Sequence, residues 1–431
     1  MARKMKDSGI EWIGEIPEGW EVLAHKYIMH KEKSICEHYS GEDVISLTLN
    51  GVVKRDLENP SGKMPTTFDG YQFVDPNDLL LCLFDIDVTP RCVGLVKDYG
   101  VTSPAYSRFK IHSGFCNAYY NYLLHFIDDE KVFVHLSKNL RSSLTESDFG
   151  AIKTIVPPKA EQQRIADYLD NRTFEIDTLL SEARSSIEEY KKLKQTVITQ
   201  AVTKGVRGER EMKDSGVEWI GEIPKYWNIG KLKYYWISVE SGVSVNAADR
   251  PIDNPAQYGV LKTSSVSKFI FNPHEHKQVN NDEYSRVTCP VTADCIIVSR
   301  MNTPDLVGAC GYVEKTYPNL FLPDRLWQIS FKNDVSAKFI WYYLNNKMVR
   351  SYISSLSTGT SSTMQNISQG QFGNISVCLP DSNEQKEIAD HLDAKCAEID
   401  RLIAKKEQLV KELESYKKSL IYEVVTGKRE V

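Results

Sequence analysis

Two stretches of this chain are near copies of each other: MKDSGIEWIGEIPEGW occupies residues 5–20 and MKDSGVEWIGEIPKYW occupies residues 212–227. Thirteen of the sixteen positions are identical. A second pair lies nearer the end of each half, with EQQRIADYLDNRTFEIDTLL from Glu161 and EQKEIADHLDAKCAEIDRLI from Glu384. Chance does not produce two such matches in the same order. The chain is therefore two copies of one unit, each with an opening segment, a variable body and a closing segment.

The closing segments have the periodicity of long helices. Apolar residues recur every seven positions in each copy, with further leucines three positions behind, and this pattern predicts a coiled-coil seam. About 43 residues at 1.5 Å each make a rod of roughly 65 Å, and neither rod can bury its apolar stripe alone. We therefore expect the two helices to pair, in preference to each covering only its own domain. The residues expected to pair are Leu169, Ile176, Leu179, Leu193, Leu392, Ile399, Leu402, Leu409, Leu413 and Leu420.

The variable bodies, about residues 21–156 and 228–379, have a different pattern. Short β-rich runs such as DVISLTL, DLLLCLF and CIIVS are bounded by Asn, Gly, Pro and Asp. This alternation predicts mixed α/β domains that present many loops. The shared pattern TPxxVG, read as TPRCVG from Thr89 and as TPDLVG from Thr303, indicates that the two bodies have a common ancestor.

Length and composition limit the class of protein. A chain of 431 residues with 41% hydrophobic and 26% charged residues is expected to form two or three globular domains. The longest apolar run, residues 79–84, is far shorter than the roughly 20 residues of a membrane span, and no secretory signal opens the chain. We therefore expect a cytoplasmic protein with no membrane contact. The nine cysteines form no CxxC pair, which favours reduced core thiols over disulfides or a zinc site.

The net charge of −5 argues, taken alone, against nucleic acid as a partner. The charge is unevenly distributed, however. Residues 1–156 carry 17 basic and 22 acidic side chains, whereas residues 212–380 carry 16 and 14. An acidic chain can still contact DNA through local basic loops if partner proteins neutralise much of the phosphate charge.

Motifs that carry chemistry are absent or weak. The sequence has no P-loop and no dinucleotide fingerprint after a strand, and its NPAQ and NPHE tetrapeptides lack the second proline and the aromatic residue of an NPPY-like methyltransferase motif. Asp381 with Glu384 superficially matches a nuclease site, but the spacing is too tight and the segment opens a helix. His274 and His276 have no evident third ligand, so a loop is favoured over a metal site. We expect no catalytic residue, no metal and no bound cofactor.

The repeated DSGxEWIGEIPxxW motif and the EQxxIADxLDxxxxEID helices resemble, over the whole chain, the specificity subunit of type I restriction-modification systems. The resemblance implies an α/β (α+β) fold with two target-recognition domains, each reading one half of a split, asymmetric DNA sequence. It also implies two long helices that pair as an antiparallel coiled coil, set the distance between the domains and dock two methyltransferase subunits, which restriction/translocase subunits then join. The division expected is domain 1 at 1–156, helix 1 at 157–211, domain 2 at 212–380 and helix 2 at 381–431.

Base readout in the bodies calls for polar and basic side chains on loops or helix ends. The candidates in the first body are Thr48, Asn50, Lys54, Arg55, Arg91 and Arg108. Those in the second body are Lys262, Thr263, Ser264, Ser265, Arg300, Asn302, Arg325, Gln365 and Asn366. Trp12 and Trp219 lie in the opening segments, which are nearly the same in both copies and so cannot encode two different half-sites. We expect these tryptophans to be a structural plug or a partner contact.

The resemblance and the missing catalytic motifs together predict a non-catalytic subunit that binds double-stranded DNA. It would direct adenine methylation and restriction by its partners, while binding neither S-adenosylmethionine nor ATP itself. Two other classes remain open. One is a single-chain DNA methyltransferase or nuclease with a fused specificity module, and the other is a coiled-coil scaffold with no DNA role.

Overall fold

The computed structural model describes residues 3–49, 51–60, 65–89, 91–137, 142–361 and 364–431, without the side chains of residues 359–361. The chain divides into two compact units. Unit 1 is Met1–Arg184 with Glu407–Val431, and unit 2 is Ser185–Lys406. The mixed α/β class predicted from the sequence is confirmed. Each unit contains one variable body and a part of each long helix, so the units cut across the four segments expected above.

The elements of unit 1 follow one another along the first body. Its strands are β1 (Met5–Asp7), β2 (Glu15–Pro17), β3 (Glu21–Ala24), β4 (Met29–Lys31), β5 (Ile35–Cys36), β6 (Val44–Thr48), β7 (Gly51–Lys54), β8 (Tyr71–Val74), β9 (Leu79–Leu81), β10 (Val93–Leu95), β11 (Gly100–Thr102), β12 (Ser107–Ile111) and β13 (Lys153–Val156). Its helices are α1 (Asn117–Asp129), α2 (Val132–Leu136), α3 (Glu146–Ala151) and a 3-10 turn at His25–Tyr27. The long helix α4 (Lys159–Lys204) begins in unit 1 and ends in unit 2.

The elements of unit 2 repeat this order with local changes. Its strands are β14 (Met212–Asp214), β15 (Glu222–Pro224), β16 (Asn228–Lys231), β17 (Trp236–Ser241), β18 (Ala247–Ala248), β19 (Gly259–Leu261), β20 (His276–Val279), β21 (Pro290–Val291), β22 (Cys295–Ser299), β23 (Met301–Asn302), β24 (Cys310–Val313), β25 (Tyr317–Phe321), β26 (Leu326–Phe331), β27 (Thr358–Ser361), β28 (Met364–Asn366) and β29 (Ser376–Leu379). Its helices are α5 (Ala337–Leu344), α6 (Lys347–Leu356), α7 (Gln369–Gly373) and 3-10 turns at Leu232–Tyr234, Thr263–Val266 and Asn281–Glu283. The second long helix, α8 (Ser382–Val425), begins in unit 2 and ends in unit 1.

Both units contain an antiparallel four-stranded sheet with the same strand order. The order is β10-β9-β12-β4 in unit 1 and β24-β22-β26-β17 in unit 2. The five-stranded sheets differ, since their orders are β5-β8-β11-β6-β7 and β18-β20-β19-β25-β21. A parallel pair is kept in each, β11 with β6 and β25 with β19. The other strands correspond by chain order: β20 pairs with β19 as β7 pairs with β6, and β21 pairs with β25 as β8 pairs with β11. Only the edge strand changes place, since β5 pairs with β8 whereas β18 pairs with β20. The two units therefore share the four-stranded sheet and four strands of the five-stranded sheet, and unit 2 adds, among the described residues, the sheet β23-β28-β27.

The strand register corrects one alignment made from the sequence. Gly94 of β10 faces Leu80 of β9, and Gly311 of β24 faces Ile297 of β22. The two facing pairs have the same separation along the chain, so the loop that joins the strands has the same length in each unit. The TPxxVG match pairs Gly94 with Gly308 and therefore does not join equivalent positions, because the register makes Gly311 the counterpart of Gly94.

Each unit has a main core that joins its body to both long helices. The core of unit 1 includes Trp20, Tyr120 and Phe149 with Leu169 and Ile176 of α4 and Leu420 and Val424 of α8. The core of unit 2 includes Trp227, Phe339 and Phe372 with Ile198 and Val202 of α4 and Ile388 and Leu392 of α8. Removing either helix would expose apolar surface of the body, which costs about 25 cal/mol for each Å². Each helix thus covers the cores of both bodies in turn.

Within each unit the two helices run antiparallel. The ion pairs that set their register are Asp177–Lys417 and Arg184–Glu414 in unit 1, and Lys194–Asp400 and Arg207–Glu387 in unit 2, with N–O distances of 2.6–2.8 Å. Rising residue numbers along and just beyond α4 meet falling residue numbers along α8. Exposed pairs of this kind contribute at most about 1 kcal/mol each. They select the register, while the buried apolar rows supply the stability.

The seam has two apolar rows, one at the heptad positions and one formed by the leucines three positions behind. The second row is partly different from the one expected. Five of the predicted pairing residues are buried, namely Leu169, Ile176, Leu392, Ile399 and Leu420, and Leu402 and Leu413 are half-buried. Leu179, Leu193 and Leu409 are 51%, 48% and 39% exposed. For two of them the more buried residue lies one position later, at Leu180 in α4 and Val410 in α8. Apolar residues occupy both candidate rows at 179–180 and 402–403, so spacing alone could not distinguish them.

The opening segment of each copy is held by the same three side chains, which we call the clamp. The clamp consists of Trp20, Glu161 and Arg3 in unit 1 and of Trp227, Glu384 and Arg210 in unit 2. The buried indole N–H donates to the carboxylate at 3.0 Å in unit 1 and 3.1 Å in unit 2, and the arginine lies 2.7 and 2.6 Å from it. Each guanidinium also lies over the indole ring, 5.5 and 5.8 Å from its centroid. The clamp explains why the opening motif and the start of the helix are repeated together.

Within the described residues no helix is both long enough and apolar enough to span a membrane. The nine cysteines are unpaired, and only Cys289 among them is partly exposed. Burial raises the pKa of the Cys310 thiol to about 12 and that of Cys378 to about 12. These thiols are therefore protonated core residues.

His25 is a buried titratable group of unit 1. Its side chain is fully buried, its ring centroid lies 4.6 Å from that of Phe149, and burial lowers its pKa to about 4 from an ordinary 6.5. The corresponding residue of the second copy is Leu232, which is also buried. The histidine is therefore replaceable by a hydrophobic side chain in this fold.

We expect His25→Leu to make unit 1 less sensitive to acid. The unfolded chain takes up a proton below about pH 6.5, whereas folded His25 stays neutral down to about pH 4, so stability is lost as the pH falls between these values. The loss attributable to His25 is about 2 kcal/mol by pH 5. Denaturant unfolding at pH 7 and pH 5 measures it, and the pH-induced loss should be smaller in the variant by that amount. An equal loss in both proteins would contradict the assignment.

Candidate nucleic-acid interface

In unit 2 a small three-stranded sheet gathers four of the residues predicted to read bases. Strands β23, β28 and β27 pair antiparallel in that order. Asn302 faces Gln365, Met301 faces Asn366, and Arg300 directly precedes β23. A two-stranded β-ribbon is one of the shapes that the major groove of DNA admits. The sheet therefore brings together two segments that are far apart in the chain.

Some polar side-chain atoms of this sheet have hydrogen-bond partners among the described residues, and others do not. The Nε of Arg300 and the Oδ1 of Asn366 are buried with no hydrogen-bond partner among the described residues. Asn302 accepts the backbone N–H of Thr303 at 2.9 Å, so its amide also shapes the following turn. Arg325 is exposed, and its carbonyl accepts the N–H of Arg300 at 3.1 Å. Arg325 is thus the most accessible cation of the group.

Arg350 supports this sheet, although it is not among the residues selected from the sequence. Its guanidinium donates to the carbonyl oxygens of Asp305 at 3.1 Å and Val307 at 2.7 Å, and it lies over the ring of Phe269 at 5.1 Å. Burial lowers the pKa of Arg350. The residue therefore holds the turn that follows β23. An arginine in an amphipathic helix gives no sequence signal that separates it from a surface residue.

The LKTSSVS segment is separate from this sheet, because its 3-10 turn at Thr263–Val266 follows β19 of the five-stranded sheet, and we call it the second surface of unit 2. Lys262 lies 3.2 Å from Asp249, and this bond lowers the pKa of Asp249. Ser264 donates to Glu275 at 2.6 Å. Ser265 is fully buried and is withdrawn from the proposed contact set, because a base cannot reach it. The other three residues of the segment stay in that set.

In unit 1 the hairpin of β6 and β7 carries most of the candidates. Thr48 lies near its tip, where its hydroxyl donates to a carbonyl across the turn at 3.0 Å. Lys54 lies at the base of the hairpin, 2.8 Å from Asp43, and this hydrogen bond raises the pKa of Lys54. Arg55 follows Lys54, and Asn50 lies outside the described residues. The hairpin thus separates Thr48 from the two cations along its length.

Arg91 and Arg108 are used inside unit 1. Arg91 lies 2.9 Å from Asp129 and its side chain is 19% exposed. Arg108 is 2% exposed and lies 2.5 Å from both Asp75 and Asp78. Arg108 is withdrawn from the proposed contact set because its buried guanidinium is already bound to these carboxylates. The sequence could not show that its strand, β12, lies inside the four-stranded sheet.

The weak chemical motifs have structural roles. Both ring nitrogens of His276 are engaged, one with the carbonyl of Pro273 at 2.7 Å and one with the N–H of Ile252 at 3.0 Å. Asp381 caps α8 by accepting the N–H of Glu384 at 2.9 Å, and Glu384 belongs to the clamp. Among the described residues, no group of three or more His, Cys, Asp or Glu side chains is placed to hold a metal ion.

The two tryptophans of the opening segments have different surroundings. Trp219 stacks on Tyr352 in unit 2, with ring centroids 5.4 Å apart. Trp12 borders a cavity of about 710 Å³ in unit 1, together with Phe126 and Tyr422. The indole N–H of Trp12 is buried and has no partner among the described residues. The same motif thus lies against a tyrosine ring in unit 2 and beside a cavity in unit 1.

Comparison with known proteins finds similar chains of one kind. Residues 257–413 match the family described as the type I restriction modification DNA specificity domain. The chain is 26% identical over 173 residues to the EcoEI specificity subunit of Escherichia coli. It is 28% identical over 291 residues to the MjaVIII specificity subunit of Methanocaldococcus jannaschii.

The chain is similar in sequence to type I restriction-modification specificity subunits.

The extent of these matches differs between sequence and structure. The alignments cover 40% of this chain and 29% of EcoEI, and 65% of this chain and 63% of MjaVIII, so the chain spans less than two thirds of either relative. A chain solved in a study of complex assembly and conformational transition of the type I restriction-modification system superposes with a TM-score of 0.69. That match covers 95% of this chain and 98% of the other at 12% identity. The fold of that solved chain thus extends over nearly the whole of this chain.

Proposed function

We propose that the chain is the DNA-specificity subunit of a type I restriction-modification enzyme, in which each variable body binds one half of a bipartite, asymmetric DNA sequence. The observation that carries the proposal is the contrast between the shared frame and the parts that differ. The four-stranded sheet and the clamp are the same in both units, whereas the edge strand of the five-stranded sheet changes place and unit 2 adds, among the described residues, the sheet β23-β28-β27. Reading two different half-sites requires two similar frames with different reading surfaces.

The proposed reading surfaces use side chains that suit direct base contacts. Arginine pairs with guanine, and asparagine or glutamine pairs with adenine, through two hydrogen bonds each. In unit 2 the set is Arg300, Asn302, Arg325, Gln365 and Asn366, with Lys262, Thr263 and Ser264 on the second surface. In unit 1 the set is Thr48, Asn50, Lys54 and Arg55, with Arg91 in a supporting position. The net charge of −5 over residues 1–156 means that partner proteins supply much of the phosphate neutralisation.

The long helices are proposed as spacer and dock. The 46 residues of α4 make a rod of roughly 70 Å, and one turn of duplex is about 34–36 Å, so the rod matches two turns. Two methyltransferase subunits dock on these helices, and the restriction/translocase subunits join that assembly. Adenine methylation, cleavage and the binding of S-adenosylmethionine and ATP belong to those partners. This chain is non-catalytic and acts in the cytoplasm, where its DNA target lies.

The proposal is tested by mapping methylated adenines in a methylation-free host that expresses the chain with its co-encoded methyltransferase. The expected result is methylation of one split sequence, lost when this chain is omitted. A second protein carries one extra heptad after Arg184 and one after Lys406, which preserves the heptad seam and adds about 10 Å to each helix. It should methylate the same half-sites with a longer spacer between them.

The competing classes give different results in the same experiment. A single-chain methyltransferase would methylate DNA without the co-encoded subunit, and a scaffold with no DNA role would leave the methylated sequence unchanged when it is omitted. An unaltered spacer in the extended protein would remove the spacer role while leaving the recognition role in place.

A further inference from the structure

One loop of unit 1 occupies the position that carries the reading strand in unit 2. Residues 82–92, which join β9 to β10, correspond to residues 299–309 by the strand register. A hydrogen bond beside the loop is also repeated. The N–H of Leu144 donates to the carbonyl of Leu83 at 2.8 Å in unit 1, as that of Ile367 donates to Arg300 at 3.0 Å in unit 2. The backbone around the loop is thus equivalent in the two units.

The first part of this loop, residues 82–89, is held by its own hydrogen bonds. The carbonyl of Asp85 accepts the N–H groups of Val88 at 3.2 Å and Thr89 at 2.9 Å, and the hydroxyl of Thr89 at 2.8 Å. Ile86 is 1% exposed in the core, and its N–H donates to the carbonyl of Ser142 at 3.1 Å. A turn closed on one carbonyl and anchored by a buried isoleucine presents its remaining side chains in a fixed geometry.

The presented side chains are apolar and acidic, unlike those of unit 2. Phe84 is 41% exposed and Val88 is 73% exposed. Asp87 is exposed, and no described residue forms a hydrogen bond or ion pair with its carboxylate. Unit 1 thus exposes two apolar side chains on the loop whose counterpart in unit 2, residues 299–309, carries Arg300 and Asn302.

The β6–β7 hairpin lies against the strand that follows this loop. A Cβ at Gly94 would lie 2.6 Å from Cγ2 of Val52 and 2.7 Å from Cδ1 of Leu47, so the hairpin approaches β10 where glycine leaves room. Leu47 and Val52 face each other one position before the pair of Thr48 and Gly51 at the hairpin tip. The loop and the candidate hairpin therefore flank the same strand.

We infer that Phe84, Asp87 and Val88 read bases of the first half-site, and this inference rests on the proposed function. Apolar side chains recognise the methyl group of thymine in the major groove, and a carboxylate accepts a hydrogen bond from the N4 amino group of cytosine. The unit 1 loop reads by these two contacts, whereas the unit 2 loop reads through arginine and amide groups. Arg91 and Arg108 do not supply such contacts in unit 1, since both are bound to aspartates.

The test uses the full chain with its co-encoded methyltransferase in a methylation-free host. Val88→Ser should relax the preference for one thymine, and Asp87→Asn should relax the preference for one cytosine, each by roughly tenfold in the methylated fraction of matched over mismatched sites. Both changes are expected in the first half-site only. Ile35→Ser is the matched control, because Ile35 is an apolar residue of unit 1 that is 50% exposed and lies in β5, outside this loop.

Each outcome decides the inference. It is overturned if Val88→Ser and Asp87→Asn methylate the same sequence as the unaltered chain, if they change the second half-site, or if the control has the same effect. It is also overturned if the variants lose the methyltransferase in co-purification, since the loop would then be a protein contact. Absence of split-site methylation with the unaltered chain would refute the proposed function itself. Thermal unfolding shows that the variants are folded, which the exposure of both side chains leads us to expect.

Discussion

Replacing residues 228–379 by the corresponding body of a related specificity subunit is expected to change one half of the methylated sequence completely and leave the other half and the spacer unchanged. The reason lies in how the body joins the rest of the chain. Strands β16 and β29 pair with Asn228 opposite Leu379, so the body begins and ends at one place. The clamp of Trp227 and Glu384 lies just outside these limits and stays intact. Methylome sequencing of the host measures the result.

The exchange needs a donor that preserves the core beneath the body. Phe339 and Phe372 share a core with Val202 of α4 and Leu392 of α8, so the donor should carry apolar residues at the two phenylalanine positions. A matched exchange of residues 21–156 should change the other half-site. If one exchange alters both halves, the two bodies do not read independently, and the modular hypothesis is wrong.

Arg108→Ala is expected to destabilise unit 1 by about 3–5 kcal/mol, the usual loss when one partner of a buried ion pair is removed. Arg108 lies between Asp78 and Asp75, and it also donates to the carbonyl of Phe73 at 3.0 Å. Asp78 is itself 2% exposed, and burial raises its pKa even with the arginine beside it. Without the guanidinium, an acidic group would be left in the core with only one backbone N–H to satisfy it. Denaturant unfolding at pH 7 measures the change.

Lys110→Ala supplies the matched control for this prediction. Lys110 is on the same strand and lies 3.3 Å from Asp75, but its side chain is 36% exposed. Its removal should cost at most about 1 kcal/mol, because water screens an exposed pair. The double variant Arg108→Met, Asp78→Leu should recover part of the loss, since it removes both buried charges. Equal effects of Arg108→Ala and Lys110→Ala would show that the buried arrangement adds nothing to stability.

The long helices show which buried positions a periodic pattern predicts and which it does not. The heptad spacing selected Leu169, Ile176, Leu392 and Leu420 for helix pairing, and all four are buried. It selected Leu179 where the fold buries Leu180, because both residues are leucine and each continues a helical stripe. The choice between them depends on the body and the partner helix that pack from one side, and neither is encoded in the spacing.

For the candidate base-contact residues, the sequence likewise predicts residue type but not solvent exposure. Residue type selected arginines and amides as a class, and the structure gathers Arg300, Asn302 and Gln365 on one small sheet. The same criterion selected Arg108, which two aspartates hold in the core. It also passed over Val88, because an exposed valine carries no signal in the sequence. Solvent exposure depends on segments far apart in the chain, so composition could not separate these residues.

The sequence by itself determined that the chain is one unit used twice, that each copy opens with a repeated motif, and that each closes with a long helix beneath a mixed α/β body. These properties follow from local patterns, because identity between copies and heptad spacing are visible in the letters alone. Only the tertiary structure decided that each compact unit takes part of both helices, that the TPxxVG match does not join equivalent positions, and which polar residues reach the surface. Those outcomes depend on burial and on strand register, which are set by contacts between residues far apart in the chain.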